Sequence, residues 1–122
     1  MSKAPHSIGR DQTLDAAHEI MRRHLIRHLP VLEGGNLVGI VSQRDLYLIE
    51  TLRDVDPAAT LVEEAMSPEA YCVSSDTPLQ EVVGTMTRRK IGCTIVTRGR
   101  DVVGLFTTTD AMRALDRLLR GS

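Results

Sequence analysis

The stretch Gly39-Ile40-Val41-Ser42-Gln43-Arg44-Asp45 returns 65 residues later as Gly104-Leu105-Phe106-Thr107-Thr108-Thr109-Asp110. Both copies read as glycine, two apolar residues, a hydroxyl, two variable residues and an aspartate. The same offset relates Met1-Ser2 to Met66-Ser67, Asp11 to Asp76, Met21 to Met86, Ile26 to Ile91 and Gly34 to Gly99, without a gap. A repeat of this length restricts the fold before any single residue is considered. Neither half, lacking a disulfide or metal, would bury much surface alone, so the halves are expected to share a core.

Each half has the same layout. An extended piece around Ile8 (Val73) leads to a turn at Asp11-Gln12-Thr13 (Asp76-Thr77-Pro78). Thr13 suits a helix cap and Pro78 a first helical turn. Leu14, Ala17, Met21 and Leu25, and likewise Leu79, Val82 and Met86, follow at helical spacing. Two apolar strands come next, Leu29 to Leu32 and Leu37 to Val41, then Thr94 to Thr97 and Val102 to Phe106 in the second copy. Glycine-containing turns join them, a hairpin signal. Closing helices are predicted over 43–53 and 108–119. Asp56-Pro57-Ala58-Ala59 breaks the chain between halves, and Thr60-Leu61-Val62-Glu63-Glu64 predicts a short helix with a capping box. The expected fold is therefore α+β, with βαββα twice: 1–55, a linker at 56–65, and 66–122. An approximate internal two-fold with two equivalent clefts follows.

Ser42-x-x-Asp45 and Thr107-x-x-Asp110 have the pattern of a helix N-cap box. The same geometry, at a strand end facing unpaired first-turn N–H groups, suits a polar, anionic small molecule. An ionised aspartate has two acceptor oxygens, enough for both hydroxyls of a ribose. Capping and binding are compatible. Arg27 and His28 could supply phosphate donors to the Asp45 corner, or stand as a solvated pair at a strand start. Gly92-Cys93 fills those positions in the second copy and carries no charge, so the Asp45 corner is the one suited to a phosphate.

Other chemistries find less support. His18, His24 and His28 do not share one helix face, and no Cys or carboxylate completes a metal set. Neither Ser42 nor a cysteine sits in a nucleophile motif, and both phosphate-loop fingerprints are missing. A net charge of -1 and the scarcity of aromatics (Phe106, Tyr47 and Tyr71, with no Trp) argue against nucleic acid. Cys72 and Cys93 have apolar neighbours and read as buried free thiols of a reducing compartment. With no apolar run long enough to span a bilayer and no signal peptide, the expected location is cytoplasmic, without membrane insertion. Arg113, Arg117 and Arg120 beside Leu115, Leu118 and Leu119 suggest a partly exposed helix that meets a partner.

These residues resemble the cystathionine-β-synthase-type domain (CBS domain), and the chain is similar to one tandem CBS pair across essentially its whole length. The motifs that carry the likeness are I-R-H-L-P-V (26–31), G-N-L-V-G-I-V-S-Q-R-D-L (35–46), the M-S opening each half, and the more divergent V-V-G-L-F-T-T-T-D (102–110). The resemblance implies a regulatory module rather than an enzyme. It would need no cofactor and would bind AMP, ADP, ATP or S-adenosylmethionine in the clefts between repeats. By that pattern Asp45 and Asp110 hold ribose hydroxyls, and Ser42 and Thr107 contact ribose or phosphate. Arg27, His28 and Arg44 meet phosphates; Thr109, Gly92 and Cys93 take the matching places in the second cleft. Ser67, Tyr71 and Cys72 would cover the base over the Asp45 cleft, and Ser2, His6 and Ser7 over the Asp110 cleft. A disc-like homodimer and an effector enzyme or transporter are the implied partners. A dimerisation or scaffolding module with empty clefts is the alternative.

Overall fold

A computed structural model describes residues 2–3 and 6–121; Met1, Ala4, Pro5 and Ser122, and the side chains of Ser2, Lys3 and Arg53, lie outside the described residues. The first repeat runs β1 (Ser2–Lys3), β2 (Ile8–Gly9), α1 (Leu14–His24), β3 (His28–Glu33), β4 (Asn36–Ser42), α2 (Gln43–Arg53) and a 3-10 turn (Val62–Glu64). The second runs β5 (Cys72–Ser74), α3 (Leu79–Arg89), β6 (Cys93–Arg98), β7 (Asp101–Thr107) and α4 (Thr108–Leu119). The α+β class and the repeated βαββα order are as expected. The chain divides into two compact units, residues 6–70 and residues 71–122 with 1–5.

In the unit of residues 6–70, β2 pairs parallel with β3, and β3 antiparallel with β4. Gly34 and Gly35 close the hairpin with φ of 57° and 83°, a left-handed pair that two glycines adopt without a Cβ penalty. Thr13 caps α1 by accepting the Ala16 N–H at 3.2 Å. Leu14, Ala17 and Met21 of α1 are buried with Leu29 and Val31 of β3, Val41 of β4, and Leu46 and Ile49 of α2. Leu25 departs from the expected helical stripe: it ends α1 in the left-handed region (φ 55°) and is 92% exposed. The turn out of the helix hands the inward position to Ile26, which packs on the core. In the linker the short helix starts later than expected. Leu61, not Thr60, precedes it, and Glu64, not Glu63, returns its carboxylate to the Leu61 N–H at 3.3 Å. Thr60 is instead buried.

That linker folds back on its own unit. The Leu14 N–H donates to Thr60 O at 2.9 Å, the Asp15 N–H to Pro57 O at 3.1 Å, the Val62 N–H to Gln12 O at 2.8 Å and the Glu63 N–H to Arg10 O at 3.1 Å. Val62 thereby enters the core with no exposed surface. Arg10 also reaches Glu33 and Glu63, at 3.3 and 3.1 Å.

The other unit has the sheet order β1-β7-β6-β5. Its core is smaller, with Val82 and Met86 of α3, Val96 of β6 and Phe106 of β7 buried together. Pro78 takes the N-cap position of α3, one residue before the first turn expected for it, and makes no side-chain cap. Leu79 is half exposed rather than core. Cys72 is also exposed, against the expected burial. It lies on the edge strand β5, where alternation turns its neighbour Val73 toward the core instead. Thr94 is fully buried, and its hydroxyl has no hydrogen-bond partner among the described residues.

The opening dipeptides are exchanged between repeats. Ser2 pairs antiparallel with Leu105 of β7, and Ser67, its equivalent, bridges Ile40 of β4. Each opening pairs with the last strand of the other repeat. The compact units therefore start at His6 and Tyr71, while the sequence repeat starts at Met1 and Met66.

Candidate functional site

Each unit carries one corner where the last strand runs into the closing helix. At the first, the Ser42 Oγ accepts the Asp45 N–H at 3.0 Å, and Asp45 Oδ2 accepts the Ser42 N–H at 2.8 Å. The capping box is complete, and it occupies one carboxylate oxygen. Among the described residues Asp45 Oδ1 has no partner, so it is the atom able to accept from a ligand. Arg27 contributes its main chain to the corner: its carbonyl accepts the Gln43 N–H at 2.9 Å, while the side chain is exposed, as is that of Arg44. His28 pairs in register with Ser42 and is half-buried. Burial pushes its imidazole below the ordinary histidine value; the Asp45 charge works against this, and Arg27 adds to it.

Gly39 explains why the strand approaching this corner starts with glycine. The Ile40 and Ser67 main chains exchange bonds of 2.9 and 2.8 Å, and a Cβ on Gly39 would stand 2.6 Å from the Ser67 carbonyl oxygen. The glycine admits a neighbouring stretch of chain. Ser67 is thus fixed through its backbone in the same unit as Asp45, with its side chain exposed.

The second corner repeats the frame with different chemistry. Asp110 Oδ2 accepts from the Thr107 N–H at 2.9 Å and from its hydroxyl at 3.1 Å, and the Asp110 N–H meets Thr107 Oγ1 at 3.4 Å. Asp110 is buried, and Arg113 lies 3.9 Å from its Oδ1, so a cation already faces the oxygen that the first corner leaves open. The i,i+3 spacing of Asp110 and Arg113 was the sequence signal for this pair. Gly92 offers its carbonyl to the Thr108 N–H at 3.1 Å, as Arg27 does to Gln43. Cys93 stands opposite Thr107, and burial together with the Asp110 charge pushes its thiol up to about 12. Thr109, at the place of Arg44, is exposed.

The remaining candidates divide by unit. Ser2 shares the unit of Asp110 through β1, as do Tyr71 and Cys72; His6 and Ser7 share the unit of Asp45. Tyr71 packs on the smaller core, its ring 5.5 Å from the Arg89 guanidinium. His6 stacks on His24 with ring centroids 3.5 Å apart. His18 hydrogen-bonds Glu50 at 2.7 Å, and among the described residues no group of three or more His, Cys, Asp or Glu could hold a metal ion. No helix among them is long and apolar enough to cross a membrane.

Comparison with known proteins adds to this geometry. The family model for the CBS domain matches residues 1–49 and 62–117. An inosine-5'-monophosphate dehydrogenase of Korarchaeum cryptofilum is 31% identical over 85% of this chain, a stretch that makes up 21% of that protein. Among solved structures, a Vibrio cholerae protein assigned to acetoin utilization is 32% identical, with a TM-score of 0.85 over 98% of this chain and 89% of its own. The CBS domain pair of protein MJ0100, solved with 5-methylthioadenosine and S-adenosyl-L-methionine, is 28% identical, with a TM-score of 0.84 over 93% of both chains.

Proposed function

Because the chain belongs to the CBS domain family, as a tandem pair of such regulatory domains, we propose that it is a ligand-sensing module, not an enzyme, and that it binds an adenosine derivative at the Asp45 corner. The observation that carries this reading is the Asp45 carboxylate at a helix entrance, with one oxygen engaged in the cap and the other unpartnered. A ribose diol would donate to that oxygen, Ser42 would contact ribose or phosphate, and His28, Arg27 and Arg44 would meet a phosphate. Ser67, in the same unit, would cover the base. The ligands of the MJ0100 pair support the adenosine class. The Asp110 corner, with Thr107, Thr109, Gly92 and Cys93, would take an uncharged nucleoside in preference to a nucleotide.

Titration calorimetry with AMP, ATP and S-adenosylmethionine tests the assignment. Asp45→Asn keeps an acceptor for the cap but removes the charge. It should weaken binding about ten- to a hundredfold, the worth of roughly 1.5–3 kcal/mol for a charge-assisted bond. Unchanged affinity would remove Asp45 from the site.

A second reading is favoured by the exposed apolar residues of the closing helices, Tyr47, Leu48 and Leu52 on α2 and Met112, Leu115, Leu118 and Leu119 on α4. These faces would join two copies into a cytoplasmic homodimer that transmits occupancy to an effector enzyme or transporter. Silent titrations beside a stable dimer in light scattering would make scaffolding the whole function.

A further inference from the structure

The two corners differ at the oxygen that a ligand would need. Asp110 Oδ2 already accepts two bonds, from the Thr107 N–H at 2.9 Å and from the Thr107 hydroxyl at 3.1 Å. A carboxylate oxygen offers two lone pairs, so this one is filled and only Oδ1 can accept from a ligand. Asp45 Oδ2 takes the Ser42 N–H, and Asp45 Oδ1 has no partner among the described residues.

Arg113 faces the one acceptor that the second corner has left. Its Nη1 lies 3.9 Å from Asp110 Oδ1, on a side chain 70% exposed beside a carboxylate that is 8% exposed. At the equivalent place on α2 stands Leu48, exposed and uncharged, so the cation belongs to one repeat only. An i,i+3 pair of this kind ordinarily joins two solvated side chains; here its acidic member is the buried carboxylate of the corner. At 3.9 Å the guanidinium is beyond hydrogen-bond distance, and charge alone holds a mostly solvated side chain in place. Such a contact is weak, so a ribose diol can displace it, but must do so before donating to Oδ1. An uncharged ligand returns no anion to the cation it releases.

We propose, on the reading of this corner as a nucleoside site, that Arg113 is its specificity-determining residue. It makes an autoinhibitory contact that occupies the last acceptor oxygen of Asp110 and lowers the affinity of the corner for a nucleoside.

The probe is adenosine, which is uncharged, titrated into the isotope-labelled full chain and followed by NMR. Shifts at Thr107 and Ala111 read this corner separately from Ser42 and Leu46 at the other. Arg113→Ala alters an exposed side chain and should tighten binding at the second corner about two- to fivefold, the range of an exposed ion pair. Arg113→Lys keeps a cation and should keep the weaker affinity. Raising the salt from about 0.02 to 0.5 M screens the pair, so the affinity of the unaltered chain should climb toward that of the alanine variant, which stays level. Equal or weaker adenosine binding by Arg113→Ala, with shifts at Thr107 intact, overturns the role of Arg113 and leaves the corner as a nucleoside site. A fall in AMP affinity in that variant would make Arg113 a phosphate donor and overturn it as well. Absence of shifts at Thr107 and Ala111 in all three proteins, up to millimolar adenosine, overturns both the contact and the site.

Discussion

The two units share one backbone plan and differ in how they are finished. In the first, α1 and α2 are tied by His18 and Glu50, and the linker seals the core with Val62. In the second, the corresponding positions are Val83 and Leu115, both exposed, and the matching groove stands open. The corners follow suit: Arg27 and His28 flank the first, while Gly92 and Cys93 flank the second. A duplicated frame fixes where helices start and strands pair. The side chains at equivalent positions then decide which copy is closed and charged, and which is open and apolar.

The sharpest way to break this contrast is to truncate the same leucine in both copies. Leu14→Ala removes a fully buried side chain and should cost about 2–5 kcal/mol, whereas Leu79→Ala at the open groove should cost less than about 1 kcal/mol. Urea unfolding of both variants measures the difference. Similar losses would mean that the second groove is covered in solution. A smaller effect separates two glycines. Gly39→Ala drives a Cβ against the Ser67 carbonyl and should cost about 1–3 kcal/mol; Gly92→Ala, which meets nothing within 4 Å, should stay within about 0.5 kcal/mol.

Much of this was legible in the sequence because the repeat acts as an internal check. Strands β2 to β7 and the four long helices fall where the 65-residue register and the periodicity place them, and α2 and α4 have the expected bounds. The misreadings have physical causes. Leu25 keeps the helical spacing but occupies a left-handed cap, which apolar periodicity does not reveal. Cys72 has apolar neighbours but sits on an edge strand. Leu79 matches Leu14 in type and position, yet its burial depends on a covering segment from far along the chain. At the corners the hydroxyl and aspartate could be read directly, because a cap is a contact three residues long. The exchange of Ser2 and Ser67 between repeats could not, since no local pattern records which strand an isolated dipeptide joins.

The corners themselves offer the smallest and most specific test. Burial holds His28 below 6.5, so the folded protein resists a proton that the unfolded chain accepts. The stability this contributes is complete above about pH 6.5 and is lost as pH falls through the lower folded-state value. Cys93, raised from 9.0 to about 12, behaves in the opposite sense: its contribution is complete below pH 9 and is lost as pH rises toward 12. Acid therefore loosens the first corner and alkali the second. Unfolding free energies measured at pH 5.5 and 7.5 should show a slope that His28→Gln flattens, and Cys93→Ser should leave that slope in place. An unaltered slope in the His28 variant would shift the acid response to another group. The same titration bears on ligand choice: a phosphate bound at the first corner favours protonated His28, so nucleotide affinity should rise as pH falls, while a neutral nucleoside should be indifferent to it.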